Sequence, residues 1–249
     1  MMAFSAHVGG ACGRDARTEF MATIYVLMGP QGAGKGTQAQ LLADRFGLPI
    51  VATGDMLREI AKTDTPLGHH VKAVLARGEL VSDDILAEVV KERLCNNDCR
   101  GGSILDGFPR TLPQARLLEK AAQEDGCRIV VIKIDVPHEL LLRRLTGRRI
   151  CKRCNSIYHL EFKPPKVDEV CDLDGEPLFT RPDDKEEVIR QRLQLYMEKT
   201  RPLLEYYDET NRLYRVDGTG TPENVFSRIA EIVAKESNGG SECRSMSEV

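Results

Sequence analysis

The chain has 249 residues, 41% of them hydrophobic and 29% charged, which is enough apolar material for the core of one large α/β domain with insertions. Its formal charge of −3 argues against a general binder of nucleic acid or membrane surfaces, so an anionic ligand has to be held by local clusters of cations. No apolar run approaches the roughly 18 residues of a membrane span, and the eight cysteines form no evenly spread disulfide framework.

Residues 1–20 lack the apolar stretch of a secretory signal and show no sustained periodicity, so a disordered extension is expected there. Met21 directly precedes the first strand pattern, which makes it a second candidate for the start of translation. Arg14 and Arg17 hint at an organellar transit peptide, and Asp15 and Glu19 count against one.

Ile24 to Met28 is short, apolar and β-prone, the pattern of a buried parallel strand. Gly29-Pro30-Gln31-Gly32-Ala33-Gly34-Lys35-Gly36-Thr37 follows, and then Ala39, Leu42, Ala43 and Phe46 recur at helical spacing until Gly47. Strand, glycine loop and helix is the phosphate-binding order: backbone N–H groups and the positive helix end hold polyphosphate while Lys35 reaches its terminal oxygens. The usual Ser or Thr after the lysine is replaced by Gly36, with Thr37 one step later, so Mg²⁺ is expected to rest on nucleotide oxygens, water and carboxylates from elsewhere.

Thr53 is placed to cap a helix carrying Arg58, an arrangement that favours an anion. Pro66 to Arg77 reads as a helix stopped by Gly78, and Ser82-Asp83-Asp84 as the cap of a longer one to about Leu94. A strand at Ser103-Ile104-Leu105 delivers Asp106-Gly107-Phe108-Pro109-Arg110 to the sheet edge where open α/β folds bind ligands. Asp106 is positioned like a carboxylate holding the water shell of nucleotide-bound Mg²⁺, and Arg110 offers a planar fork for phosphate. Thr111 caps the next helix, on which Gln114 has an amide able to pair with a purine edge.

Arg128 to Ile134 is a further strand, and Pro137 opens a helix ended by Gly147, with Arg144 and Arg148 one turn apart. Cys151-Lys152-Arg153-Cys154, sixteen residues, then Cys171-Asp172-Leu173-Asp174 make two paired elbows with zinc spacing. Three thiolates and the Asp174 carboxylate fill four positions and leave none for chemistry, so the metal is expected to be structural. His159 and Asp172 are rival fourth ligands, and a redox pair is the rival reading of the first elbow. Cys12, Cys95, Cys99, Cys127 and Cys243 read as ordinary thiols, which with the metal site suggest a reducing, cytoplasmic setting. Thr180-Arg181-Pro182-Asp183-Asp184 leads into a long helix through about Asp208 that carries Arg192. Leu213 to Val216 is a last strand, Thr221-Pro222-Glu223 starts a closing helix to about Lys235, and the polar stretch from Ser237 is expected to be disordered.

Gly-Ala-Gly-Lys-Gly-Thr at 32–37, Thr-Gly-Asp-Met-Leu-Arg at 53–58, Asp-Gly-Phe-Pro-Arg-Thr at 106–111, Gly-Arg-Arg at 147–149 and Pro-Pro-Lys-Val at 164–167 come in one order. From about Met21 to Lys235 the chain resembles the adenylate kinase family in its long, zinc-bearing bacterial form. The resemblance implies an α/β P-loop three-layer fold with a central parallel sheet. It divides the chain into a core (21–51, 82–147 and 182–236), an AMP-binding insertion at 52–81, a zinc-bearing lid at 148–181 and a tail at 237–249. It implies ATP contacts at Gly32, Ala33, Gly34, Lys35, Gly36, Thr37, Arg144, Arg148, Ile157 and Tyr158. AMP contacts are implied at Thr53, Arg58, Glu79, Leu80, Val81, Gly107, Arg110, Gln114, Arg181 and Arg192. Asp55 and Asp106 would hold the Mg²⁺ water shell, and Lys35, Arg110, Arg148, Arg181 and Arg192 would be catalytic. The partners implied are ATP, AMP and ADP, with one zinc per chain, no nucleic acid or membrane, and a monomeric state.

The nucleophile in such a reaction is a phosphate oxygen of AMP, already anionic at neutral pH, so no general base has to be found. The obstacle is repulsion between two polyanions, which fixed cations answer. A kinase for UMP, CMP or GMP is the nearest rival. A non-catalytic P-loop regulator using a zinc knuckle on nucleic acid is a remoter one, disfavoured by 5% aromatic residues and no Trp.

Overall fold

A computed structural model describes residues 22–238; the expectations for residues 1–20 and for a start at Met21, and those for 239–249, lie outside the described residues. The chain runs β1 (Thr23–Met28), α1 (Lys35–Phe46), β2 (Ile50–Ala52), α2 (Thr53–Ile60), α3 (Pro66–Ala76) and α4 (Asp83–Leu94). It continues through β3 (Gly102–Asp106), α5 (Leu112–Glu124), β4 (Arg128–Asp135), α6 (His138–Thr146), β5 (Arg148–Cys151), β6 (Ile157–His159) and β7 (Leu178–Phe179). It closes with α7 (Glu186–Leu195), α8 (Arg201–Glu209), β8 (Leu213–Asp217) and α9 (Pro222–Asn238).

Five strands form one parallel sheet in the order β2-β3-β1-β4-β8. Ile24, Val26 and Met28 of β1 enter one apolar cluster with Leu118, Leu203 and Tyr207, while Tyr25 and Leu27 enter another with Leu42 and Ile229. Helices therefore cover both faces, which is why the strand reads as an unbroken apolar run instead of an alternating one. The chain leaves β1 toward β2 and β3 on one side and reaches β4 and β8 on the other, so the loop after β1 lies at the switch point where such sheets bind ligands. A separate antiparallel sheet, β6-β5-β7, carries the cysteine elbows.

Gly47 ends α1 as expected, in the left-handed region with its N–H on Ala43 O at 2.8 Å. Thr111 caps α5, accepting from Gln114 N at 3.3 Å. Thr53 is not a cap: it is the first residue of α2, and its hydroxyl donates to Asp106 O at 3.2 Å, tying the helix start to the end of β3. Ser82 holds the capping position of α4 without a side-chain bond. The long helix expected through about Asp208 is present: α7 passes into α8 without interruption through a π turn at Tyr196–Thr200. Pro202 has no N–H to continue the ladder, and the chain widens just before it. The closing helix runs past Ser237, whose hydroxyl donates to Val233 O at 2.8 Å and lies 3.0 Å from the Tyr25 hydroxyl, so the expected onset of disorder at that residue is corrected.

Candidate active site

The glycine loop turns on left-handed positions, and Gly32 shows why a side chain is excluded there. At φ +81°, an added Cβ would lie 3.0 Å from Leu145 Cγ and 3.1 Å from Leu141 O of α6. The first-turn amides of α1 have no acceptor inside the helix, and no side chain caps them. Lys35 Nζ folds back on the loop, donating to Gly29 O at 2.8 Å and Pro30 O at 3.0 Å. Burial pulls its pKa down to about 8; Asp106 opposes the shift, and Arg110, Arg192 and Arg148 add to it. Asp106 Oδ2 lies 3.4 Å from where a Cβ on Gly36 would be, so the missing side chain lets the carboxylate stand against the loop. Arg144 ties the other flank, donating to Gly218 O at 3.0 Å and more weakly to the Gly32 and Ala33 carbonyls at 3.5 Å.

A second corner forms at the end of β3. Gly107, at φ +87°, passes so close that a Cβ there would lie 2.7 Å from Thr53 Oγ1 and 2.9 Å from Arg110 Nη2. Arg110 is oriented by its own backbone surroundings, Nε donating to Gly107 O at 2.7 Å. Arg58 folds over Gly54 and pairs with Asp55. Thr53, Arg58, Gly107 and Arg110 are thus brought together from two separate motifs.

Arg148 and Arg192 are held by two acids that the sequence reading passed over. Asp184, without exposed side-chain surface, accepts from Arg148 Nε at 2.8 Å and from its Nη2, and lies 3.9 Å from Arg192 Nη1. Asp183 accepts from Arg192 Nη1 at 2.7 Å. Consecutive acids between Arg181 and Arg192 are the signal that could have found them. The guanidinium of Arg181 has neither a hydrogen-bond acceptor nor an ion-pair partner among the described residues. Burial, then Arg58 and Arg148, hold its pKa down to about 10, and burial and Arg192 do the same for Arg110. Lys35, Arg58, Arg110, Arg148, Arg181 and Arg192 face Asp55, Asp106, Asp183 and Asp184: six cations against four carboxylates, an excess of two positive charges in an acidic chain. Such a cluster attracts a polyanion.

Other expected contacts stand differently. The Gln114 amide is buried and already used, Oε1 accepting from Arg110 N at 2.7 Å and Nε2 donating to Asp83 Oδ1 at 2.6 Å. Val81 sits in the core, so only its backbone is available to a ligand, and Glu79 is paired with Arg77. The Tyr158 side chain packs into the cysteine cluster, buried, 3.5 Å from Cys171 Sγ and accepting from Asp172 N at 2.8 Å, which leaves the backbone of this residue for a nucleotide. Its neighbour Ile157 pairs with Ile150 across β6 and β5.

Donor atoms of Cys151, Cys154, Cys171 and Asp174 all lie within 4.8 Å of one another. Cys154 and Cys171 sulfurs are 3.6 Å apart and Cys151 Sγ is 3.3 Å from both Asp174 oxygens. Tetrahedral zinc with bonds of ~2.3 Å requires edges of roughly 3.7 Å, so the set fits. The amides of Arg153 and Cys154 point at Cys151 Sγ at 3.4 Å, orienting one thiolate. Both rival ligands are occupied elsewhere. His159 bonds Arg143 O through Nε2 and accepts from the Glu161 and Phe162 amides, each at 3.0 Å, and Asp172 accepts from Lys166 N at 2.8 Å.

A sequence profile of the adenylate kinase family matches residues 27–212. Among curated relatives, the adenylate kinase of Thermodesulfovibrio yellowstonii is 46% identical over 212 residues, covering 85% of this chain and 99% of the relative. That of Carboxydothermus hydrogenoformans is 47% identical over 84% of this chain and 99% of its own length, and that of Bacillus subtilis 46% over 84% and 96%. With the loop, the cation cluster and the cysteine elbows all inside the matched stretch, this chain belongs to the adenylate kinase family.

Proposed function

We propose that the protein catalyses reversible, Mg²⁺-dependent phosphoryl transfer from ATP to AMP, yielding two ADP. The observation that carries this reading is the uncompensated cation cluster around Lys35, with the partnerless Arg181 at its edge. Lys35 leaves the Gly29 and Pro30 carbonyls for the β- and γ-phosphates, exchanging two neutral acceptors for charged ones. Thr53, Arg58 and Arg110 receive the AMP phosphate, and Arg148, Arg181 and Arg192 bridge donor and acceptor so that the repulsion between them is cancelled. Gln114 meets the adenine edge by giving up Asp83. Asp106 holds the hydrated Mg²⁺, which supplies charge neutralisation on the phosphates. Asp55 is already engaged by Arg58 and serves the corner through that pair.

In this reading α2 and α3 are the acceptor-binding insertion, and residues 148–181 are a lid whose hairpins one structural zinc stiffens. Enclosing both nucleotides keeps water from the γ-phosphoryl group. The enzyme is proposed to act as a cytoplasmic monomer; among the described residues no helix is long and apolar enough to cross a membrane. The test is an acceptor panel: ATP with AMP, UMP, CMP or GMP, nucleoside diphosphates being quantified by chromatography. AMP is expected to be the preferred acceptor, and a faster reaction with UMP, CMP or GMP would overturn the assignment.

A further inference from the structure

A cleft of about 650 Å³ opens between the C-terminal half of β4, the first turn of α6 and the passage from α7 through the π turn to α8. That size falls within the roughly 300–1,000 Å³ of small-molecule sites. Pro30 forms part of its wall, but none of Lys35, Arg58, Arg110, Arg148, Arg181 or Arg192 does. It is therefore lined by a different set of residues from those assigned to the nucleotides.

Its chemistry has three parts. The walls are apolar, with Leu141, Leu193 and Leu204 behind and Met197, 50% exposed, at the mouth. The charged groups are Lys133, Arg190 and Arg201 against Asp135 alone, a local excess of two positive charges before His138 is considered. Lys133 is paired with Asp135 and Arg190 with Glu186, whereas Arg201 has no ion-pair or hydrogen-bond partner among the described residues. Third, Tyr196 lines the cleft with a buried hydroxyl that has no hydrogen-bond partner. Burial and Asp135 push its pKa up to about 12, so it remains a neutral donor. Tyr196 begins the π turn, a helix defect that recurs at functional sites, and the same turn presents Met197.

A gap that merely reflected imperfect packing would not gather an unpaired guanidinium, an unsatisfied phenol and a helix defect on one wall. We propose that this cleft is a second ligand site, which takes a small organic anion with an apolar or aromatic body, its charge on Arg201 and its body against Leu193, Leu204 and Met197.

The probe is 8-anilinonaphthalene-1-sulfonate, an aromatic body with one sulfonate, titrated by fluorescence into the full chain in saturating ADP. Use of ADP to fill the nucleotide site rests on the proposed activity. ADP binding is therefore measured first by calorimetry on the same sample, so a failure of that reading shows there and not in the dye titration. One saturable dye site is expected, insensitive to ADP. Arg201→Glu and Met197→Glu are each expected to weaken it at least about tenfold while ADP-forming turnover stays at the wild-type level. Absence of saturable binding, displacement of the dye by ADP, or unchanged affinity in either variant would overturn the assignment.

Discussion

Replacing Asp184 by Asn tests whether the arginines are held in place before the nucleotides arrive. The carboxylate is fully buried, receives Arg148 through two guanidinium nitrogens, one of them at 2.8 Å, and lies 3.9 Å from Arg192 Nη1. Asn keeps an acceptor oxygen but loses the charge, and turns an NH₂ group toward a cation. Removing one partner of a buried pair costs roughly 3–5 kcal/mol, and the retained oxygen puts this substitution near the lower end, about 3 kcal/mol. At ~2–4 °C per kcal/mol for a domain of this size, Tm is expected to fall by about 6–12 °C in scanning calorimetry. Arg148 would then swing free, and losing one aligned donor to a phosphoryl group in flight costs ~10²–10³ in kcat. Asp183→Asn, at a carboxylate 21% exposed that holds Arg192 at 2.7 Å, is expected to do less of both. An Asp184→Asn protein with Tm within about 2 °C of wild type and turnover within about threefold would refute preorganisation by this acid.

Further outcomes follow from the same geometry. Cys154→Ser removes one of four donors, so zinc measured by mass spectrometry is expected to fall well below one equivalent and Tm to drop, with milder damage to turnover at low temperature. Wild-type protein holding less than about half an equivalent of zinc would count against the closed metal site. Gly107→Ala would place a methyl 2.7 Å from Thr53 Oγ1 at φ +87°, and is expected to raise KM for AMP about tenfold with KM for ATP little changed. Lys35 is depressed from 10.5 to about 8, so the cost of burying its charge is fully present below about pH 8 and fades as pH rises toward 10.5. Polyphosphate restores the charged form. ADP binding is therefore expected to take up protons between about pH 8 and 10, seen by calorimetry in buffers of different ionisation enthalpy and absent in Lys35→Met.

The parts of the molecule legible in the sequence are those whose signal is local. The P-loop announces itself because strand, glycines and helix are contiguous, and the cysteine elbows because metal ligation fixes their spacing. Of the four large-sheet strands that were expected, β1, β3 and β4 are apolar runs that are largely buried while β8 is the edge strand, and the bounds of all four agree with the structure to within a residue or two. Ile50–Ala52 has three residues and no pattern to read, and β5 to β7 are short strands whose pairing depends on the knuckle. Long-range pairing was out of reach. Nothing local says that Asp184 receives Arg148 from 36 residues away, that Asp83 occupies the Gln114 amide, or that Tyr158 turns toward Cys171. The long helix from α7 to α8 was legible in its periodicity, whereas the π turn just before Pro202 was not.

The central claim is that fixed cations, with no general base, make one polyanion attack another. The most direct measurement is the rate of ADP formation from ATP and AMP by Lys35→Met, on protein whose Tm matches or exceeds that of wild type, since the substitution also removes a buried charge. Turnover is expected to fall by at least about 100-fold with the fold intact. A folded Lys35→Met enzyme turning over at near the wild-type rate would contradict the account.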